Sequence, residues 1–440
     1  MTYPFHVKVH PYFRIHPDFK FPTVSRERAV AASWNVPALC ARYKWPSGAA
    51  GGGVIGIVEL GGGWIQSDMT AFFASIGQPV PSITDVSVDG TKNAPTAGNN
   101  SPDYEVALDI QAAAAAYYVA TGKVATVRVY WAQDIAPAIR AATTDGCDVF
   151  SISWGADEAT WGAAAAADLE DAATAATVAG MVVFAASGDN DSSDGGTTPA
   201  NVDLPAGCPH VVGCGGTSLT ATAEVVWNNN PGQATGEGTG GGYSTLFPAQ
   251  PWQLGIPPAP AGLGRMVPDV ASCADPNTGV AIYCHGGPLV IGGTSAAAPV
   301  WAGLVAACGR KLAPIAPSLY LNAQAFTPIL TGDNGYYSAD NHAPNPCCGM
   351  GSPLGATIAA LLGSSTSPPV TTTPPPGTTP VPPVTTAPPA TTTRPPVTTQ
   401  PPRPTTTHPP HPTTTPAPAP DHHHHHHPGR HDHRGGRHDE

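Results

Sequence analysis

The chain has 440 residues, with 19 Lys and Arg against 31 Asp and Glu and a formal charge of −12. That balance excludes recognition of nucleic acid or an anionic membrane through a basic footprint. Ser364 to Pro420 is almost wholly Thr, Pro, Ala and Val, with nothing to build a core, so one large domain is expected before it.

The first residues, MTYPFHVKVHPYFRIHPDFKF, interleave charges and His with aromatics and lack the apolar stretch of an export signal. Residues 1–24 read as an N-terminal arm ahead of a folded domain over 25–363. Gly53 to Leu60, GVIGIVEL, is a short apolar run ending in glycines, the pattern of a buried parallel strand and its loop. Similar strands are expected at Val124–Tyr130, Asp148–Ser153, Met181–Ala186 and Val211–Gly213. Ala-rich helical stretches lie between them at Tyr104–Ala120, Ile135–Thr144 and Trp161–Ala179. This alternation predicts an α/β fold, a mostly parallel sheet with helices on both faces. Functional sites in such sheets gather at the carboxyl ends of the strands.

From Thr217 to Val290 the chain reads as loop-rich, with GEGTGGG at Gly236–Gly242 and prolines at Pro257–Pro260, and is expected to carry binding loops. A helix follows GGTSAAAP, and the domain closes near Ala359–Gly363. Residues 364–420 are expected to form an extended, polyproline-like linker. The His-rich tail, 421–440, can capture metal ions through imidazoles. Its six-His run also matches a purification tag, although Arg, Asp and His continue beyond it. No run approaches the roughly 18 apolar residues of a membrane span. A soluble chain without membrane insertion is therefore expected; its location is left open, with extracellular release compatible. Nine Cys cannot all pair internally. Cys208 with Cys214, and Cys273 with Cys284, are close enough for loop disulfides in an oxidising compartment, and buried free thiols fit equally well.

The strongest chemical signal is Gly292-Gly293-Thr294-Ser295-Ala296-Ala297-Ala298-Pro299. Glycines let a substrate approach the backbone, and a Ser at a helix start gains an exposed hydroxyl near the positive end of the dipole. Taken alone, the same pattern also describes an N-cap on a buried Ala-rich helix. A nucleophilic Ser needs a base, and no core His stands in a comparable strand-to-helix setting. Glu105 and Asp109, four apart in SPDYEVALDIQAAAAAY, project from one helical face. Their apolar flanks point to two desolvated acids rather than a solvated helix edge. Asp189, in Ala186-Ser187-Gly188-Asp189, follows the strand MVVFAA and faces the expected cleft, with a surface turn as the bland alternative. The acidic loop Asp189, Asp191, Asp194 lacks the Gly and Glu positions of a calcium-binding EF-hand.

Together these residues resemble the sedolisin family, serine-carboxyl peptidases with a subtilisin-like fold. The likeness runs from about Tyr43 to Gly355. It rests on YKWP, IGIVELGGG, the Glu105/Asp109 pair, SISWG at Ser151–Gly155, ASGD ending at Asp189, NVDLPA at Asn201–Ala206, CGGTSL, VPDVA around Asp269, and GGTSAAAP. The resemblance implies a serine-type peptidase, with endopeptidase action favoured, that hydrolyses protein or peptide substrates at acidic pH. In that scheme Ser295 is the nucleophile, Glu105 its base, Asp109 the group orienting Glu105, and a protonated Asp189 the oxyanion donor. Ser153, Trp154 and Gly155 would bind the extended substrate.

Two departures qualify it. The family's C-terminal calcium site uses an Asp in an F-x-D-I stretch and another in a G-W-D stretch, with backbone carbonyls. Here Pro328 and Asn345 stand at those positions, so no cofactor is assigned unless Asp333 or Asp340 substitutes. Family members also carry a large N-terminal propeptide, whereas the arm expected ahead of the folded domain here is about 24 residues long. The competing reading is a catalytically weak peptidase fold that binds or attaches to surfaces through its stalk and His-rich tail.

Overall fold

The structure, a computed structural model, describes residues 7–15, 33–96, 98, 102–254 and 264–363. The expected linker, the His-rich tail and the Pro257–Pro260 stretch lie outside the described residues. The chain divides into a compact unit over Met1–Val370 and a remainder, Thr371–Glu440.

An eight-stranded sheet organises the compact unit. Along it run Glu224–Val226, Val211–Leu219, Val182–Ala186, Val149–Ile152, Val54–Glu59, Thr126–Trp131 and Ser82–Ser87, with Val270–Cys273 pairing beside Val211–Leu219. All pairings are parallel except that of Glu224–Val226. Side chains alternate across it. Ile55 and Ile57 enter one core with the helices Asp103–Thr121 and Thr294–Cys308, and Val58 enters another with Ile135–Thr144 and Glu158–Val178. The mostly parallel α/β arrangement expected from the alternating pattern is therefore present.

The two helices of the first face approach closely because their contact surface is built from Ala and Gly. A Cβ on Gly303 would fall 2.4 Å from the Ala113 carbonyl and 3.0 Å from the Ala116 methyl. Nothing larger than glycine fits there without moving one helix. This contact sets the height at which the Glu105 turn stands beside the start of the Ser295 helix.

Three expectations are refined. The strand starting at Val211 continues to Leu219, because Gly215 and Gly216 are in the sheet interior, where a Cβ would meet Pro268 at 2.6 Å and Ala274 at 2.7 Å respectively. The loop-rich span from Thr217 to Val290 also holds strands, among them Val270–Cys273, Val280–Cys284 and most of Gly287–Gly292. All nine cysteines are free thiols. Cys208 and Cys214 belong to the cores on opposite faces of the sheet, which separates them despite their proximity in sequence. Cys273 Sγ faces the Thr278 carbonyl at 3.4 Å, whereas Cys284 Sγ faces that of Asp103 at 3.7 Å.

Candidate active site

Ser295 is the second residue of the helix Thr294–Cys308, whose N-cap is Gly293, with no side-chain cap. Capping is thus not the role of Ser295. Its Oγ donates to Glu105 Oε2 at 3.0 Å and approaches the Ser153 carbonyl at 3.3 Å. Asp109, one turn beyond Glu105, accepts from Ser153 Oγ at 2.8 Å. Both carboxyls are completely buried, so the solvated-edge reading of the pair does not hold.

Burial pushes both acids well above the usual carboxylate range, and the neighbouring Asp109 and Glu59 charges push Glu105 further. Glu105 Oε1 and Asp109 Oδ2 have no protein donor, while Asp109 is drawn back by hydrogen bonding with Ser153 and Glu105. One proton held between the two carboxyls would satisfy both orphaned oxygens. Glu59 joins the cluster from the carboxyl end of its strand: it is fully buried, raised mainly by desolvation, and accepts from Trp154 Nε1 at 3.0 Å. Sequence reasoning missed it, although an acid ending a run as apolar as VIGIV was the available signal.

Asp189 lies after the strand Val182–Ala186 and is also fully buried, not part of a surface turn. Its Oδ1 accepts from the Thr294 N–H at 2.7 Å and Thr294 Oγ1 at 2.9 Å. Its Oδ2 has no hydrogen-bond partner. Burial raises its pKa, opposed by the Arg14 charge and the Thr294 hydrogen bonds.

The N-terminal arm is what completes the site. Residues His10–Pro11 pair antiparallel with the edge at Trp154–Gly155, and Arg14–Ile15 with Ile291–Gly292. Between them, the Tyr12 N–H donates to the Ser153 carbonyl at 3.0 Å and its own carbonyl accepts from the Ser295 N–H at 3.1 Å. Gly293, at φ 107°, makes this possible, since a Cβ there would lie 2.1 Å from the Tyr12 oxygen and 2.6 Å from Asp189 Oδ2. The Tyr12 ring is buried, its hydroxyl donating to Asp203 Oδ2. Ser295 is accordingly buried, contrary to the expected exposed hydroxyl: the arm strand pairs on both sides of it. Ser153, Trp154 and Gly155, the expected substrate-binding residues, pair here with the chain's own arm, and Trp154 also buttresses Glu59.

The calcium positions do not fit a cation. The buried Asn345 amide nitrogen donates to the Ile329 and His342 carbonyls, each at 2.9 Å, while its oxygen accepts from the Cys347 and Cys348 N–H groups. An amide N–H₂ thus points at carbonyls where an ion would need carboxylate oxygen. Asp333 Oδ1 accepts from Asn228, Gly232 and Gly335 instead. No step is derived through calcium.

The sign of the titrations predicts unusual stability behaviour. Glu59, Glu105, Asp109, Asp194 and Asp203 are raised well above their ordinary values chiefly by burial, and Asp191 is pushed up to about 7. The folded chain therefore holds protons that the unfolded chain has released above about pH 4. Their stabilising effect is complete below that pH and is lost as pH rises through the folded values. The melting temperature should fall steadily from pH 4.5 to pH 8 in calorimetry. A rise over that range would contradict these protonation states.

A serine-bearing helix beside the carboxyl ends of a subtilisin-like parallel sheet, with a peptide strand laid across it, defines a subtilisin-like serine peptidase. The sequence profile of the subtilase family (Peptidase_S8) matches residues 82–315. Kumamolisin of Bacillus sp. (strain MN-32) is 40% identical over 388 residues, covering 81% of this chain and 69% of that protein. Sedolisin of Pseudomonas sp. (strain 101) is 37% identical over 153 residues, covering 31% and 25% respectively. The solved structure of Pseudomonas sedolisin complexed with two molecules of pseudo-iodotyrostatin superposes with a TM-score of 0.65. It is 24% identical, covering 75% of this chain and 98% of that one, and bears on the fold alone. The chain belongs to the sedolisin family of serine-carboxyl peptidases, hydrolases acting on peptide bonds. No helix among the described residues is long and apolar enough to cross a membrane.

Proposed function

We propose that this chain is an acid-acting endopeptidase that uses Ser295, Glu105 and Asp109 as a triad and Asp189 as oxyanion donor. One observation carries the reading: Ser295 Oγ donates to a buried carboxylate while its backbone N–H holds a peptide carbonyl, that of Tyr12. The hydroxyl and a bound carbonyl thus meet at one residue.

In the acylation step Ser295 Oγ attacks the carbonyl carbon and its proton passes to Glu105 Oε2. Asp109, steadied by Ser153 Oγ, orients Glu105 and shares the proton inventory of the pair. The negative charge arriving on the carbonyl oxygen is met by the Ser295 N–H and by protonated Asp189, whose free Oδ2 faces the open side of Gly293. Collapse of the intermediate breaks the C–N bond, the leaving nitrogen taking the proton back from Glu105. Water then repeats the sequence on the acyl-enzyme. Acid pH follows because Asp189 must stay protonated while the Glu105/Asp109 pair retains one negative charge. Endopeptidase action is favoured because the arm carries residues on both sides of Tyr12, from His10 to Ile15, paired along the cleft.

The test is digestion of a denatured protein from pH 3 to pH 8 by the purified chain and by Ser295→Ala. Fragments should form on the acid side with the parent chain and not with the variant. Equal digestion by both, or none by either at any pH, rejects the assignment.

A further inference from the structure

Glu105 and Asp109 project from one side of the helix Asp103–Thr121, and the far side carries a polar residue that touches none of the reacting groups. That residue is Gln111, completely buried. Its side-chain amide spends both of its functions on one backbone unit: Oε1 accepts from the Tyr283 N–H at 2.9 Å, and Nε2 donates to the Tyr283 carbonyl at 2.7 Å. Tyr283 lies in the strand Val280–Cys284, which pairs antiparallel with Gly287–Gly292. In such a strand the backbone groups of alternate residues point to the same edge. On the outer edge the Ala281 N–H donates to the Trp34 carbonyl at 2.8 Å; two residues on, the Tyr283 groups face the same way and meet Gln111. A side chain thus supplies what a neighbouring strand would.

The strand Gly287–Gly292 pairs with Arg14–Ile15 and runs through Gly293 into Ser295, so the hairpin and the nucleophile share one continuous backbone. Gln111 ties the helix bearing Glu105 to that hairpin. The contact at Gly303 fixes how closely the two helices approach, but a helix held on one contact can still turn about its axis. A turn of about 10° moves a carboxyl about 6 Å from the axis by about 1 Å. A misplacement of about 1 Å at a reacting group costs up to about 10²-fold in rate. Elsewhere the hairpin is tied at its tip, where the Gly286 N–H donates to Asp68 Oδ1 at 3.1 Å and His285 Nε2 lies 2.9 Å from Asp103 Oδ2. The His285 ring is partly exposed there, whereas the Gln111 bonds are buried.

We propose that Gln111 is a positioning residue for the reaction: its amide, hydrogen-bonded to Tyr283, sets the rotation of the Asp103–Thr121 helix and so aims Glu105 at Ser295. This rests on the peptidase reading and deepens it. An amide is the neutral side chain that matches one backbone donor and one backbone acceptor together, and an apolar residue of the same length would leave both Tyr283 groups buried without partners.

Two measurements on the full chain test it. Gln111→Met should lower kcat on one peptide by about tenfold from pH 3 to pH 8 and leave KM within about twofold, because the edges that hold the peptide, Trp154–Gly155 and Ile291–Gly292, do not turn with the helix. Gln111→Glu separates aim from packing. While protonated, its carboxyl can accept from the Tyr283 N–H and donate to the Tyr283 carbonyl, as the amide does; once ionised, it has no donor and its charge faces the Tyr283 oxygen. Its kcat should stand within about twofold of the parent at the acid end and approach that of Gln111→Met as pH rises. Asp68, Asp103, Cys284 and His285, the titratable groups around the hairpin tip, are common to all three enzymes, so the ratio of variant to parent at each pH removes their contribution. Unchanged kcat in Gln111→Met, a KM that rises as kcat falls, or a Gln111→Glu enzyme no better than Gln111→Met in acid overturns the proposal. The second measurement needs no turnover. The Ser295 hydrogen bond lowers the pKa of Glu105, so a helix turned away from Ser295 titrates Glu105 at higher pH, read from the side-chain carboxyl ¹³C signal that Glu105→Gln removes. The midpoint should rise in Gln111→Met, and an unmoved midpoint overturns the proposal. Failure of the parent to cleave any substrate rejects the peptidase reading instead, and the midpoint then decides the role of Gln111 alone.

Discussion

Glu105→Gln should lower kcat/KM on a peptide substrate by about 10³-fold, within the range of a lost general base, with KM little changed. The substitution keeps size and the ability to accept a hydrogen bond from Ser295 Oγ, now held at 3.0 Å, but the amide cannot take the proton. The loss therefore falls on the step in which charge moves, not on binding. Asp109→Asn should cost less, about 10²-fold, because Glu105 remains and only its orientation and proton sharing suffer. The two effects should not add: once Glu105 is an amide, Asp109 has no base to support. Steady-state kinetics of both single variants and the double variant at the pH optimum decide the matter. A Glu105→Gln enzyme within tenfold of the parent, or a double variant showing the full product of the single losses, would remove these residues from a triad.

The main parts of this site were readable because chemistry and periodicity coincide in them. Glu105 and Asp109 sit four apart in an otherwise apolar helix, a spacing that fixes a shared face whatever the tertiary fold. Ser295 is announced by Gly292 and Gly293, and Asp189 by the strand it terminates. What joins them was not readable. Ser295 and Glu105 are separated by 190 positions, and the contact between their helices depends on Gly303 meeting the Ala113 carbonyl, which looks like any small-residue stretch in sequence. The arm was harder still. HPYFRI alternates neither as a half-buried strand nor as a helix, because its partners are two separate edges and its one deeply buried ring, Tyr12, enters a pocket floored by Asp203. The strand Ser82–Ser87 escaped for a related reason: its side chains are exposed or only partly buried, so no apolar run marks it.

Asp189 offers the sharpest discrimination, because two substitutions should diverge. Its Oδ1 is fixed by the Thr294 N–H and Oγ1, leaving Oδ2 as the atom that must supply a proton to the developing oxyanion. Asp189→Ala removes the donor at every pH and should lower kcat by about 10²- to 10³-fold, the loss typical of one oxyanion-hole group. In Asp189→Asn the amide oxygen can retain the Thr294 bonds while the N–H₂ takes the place of the protonated oxygen, a donor that does not titrate. In the parent enzyme, activity on this limb is present while Asp189 is protonated and declines as pH rises through its pKa. Burial raises that value, extending activity upward, and a cation beside Oδ2, such as Arg14, pulls it back. The Asn variant should therefore lose this upper limb and keep a larger fraction of its activity toward neutrality than the parent. The lower limb, set by the charge on the Glu105/Asp109 pair, should stay where it was. The pH dependence of kcat for the three enzymes on one peptide distinguishes the cases. An Asn profile that is the parent's scaled down, with both limbs unmoved, would mean that the proton on Asp189 does not serve the oxyanion.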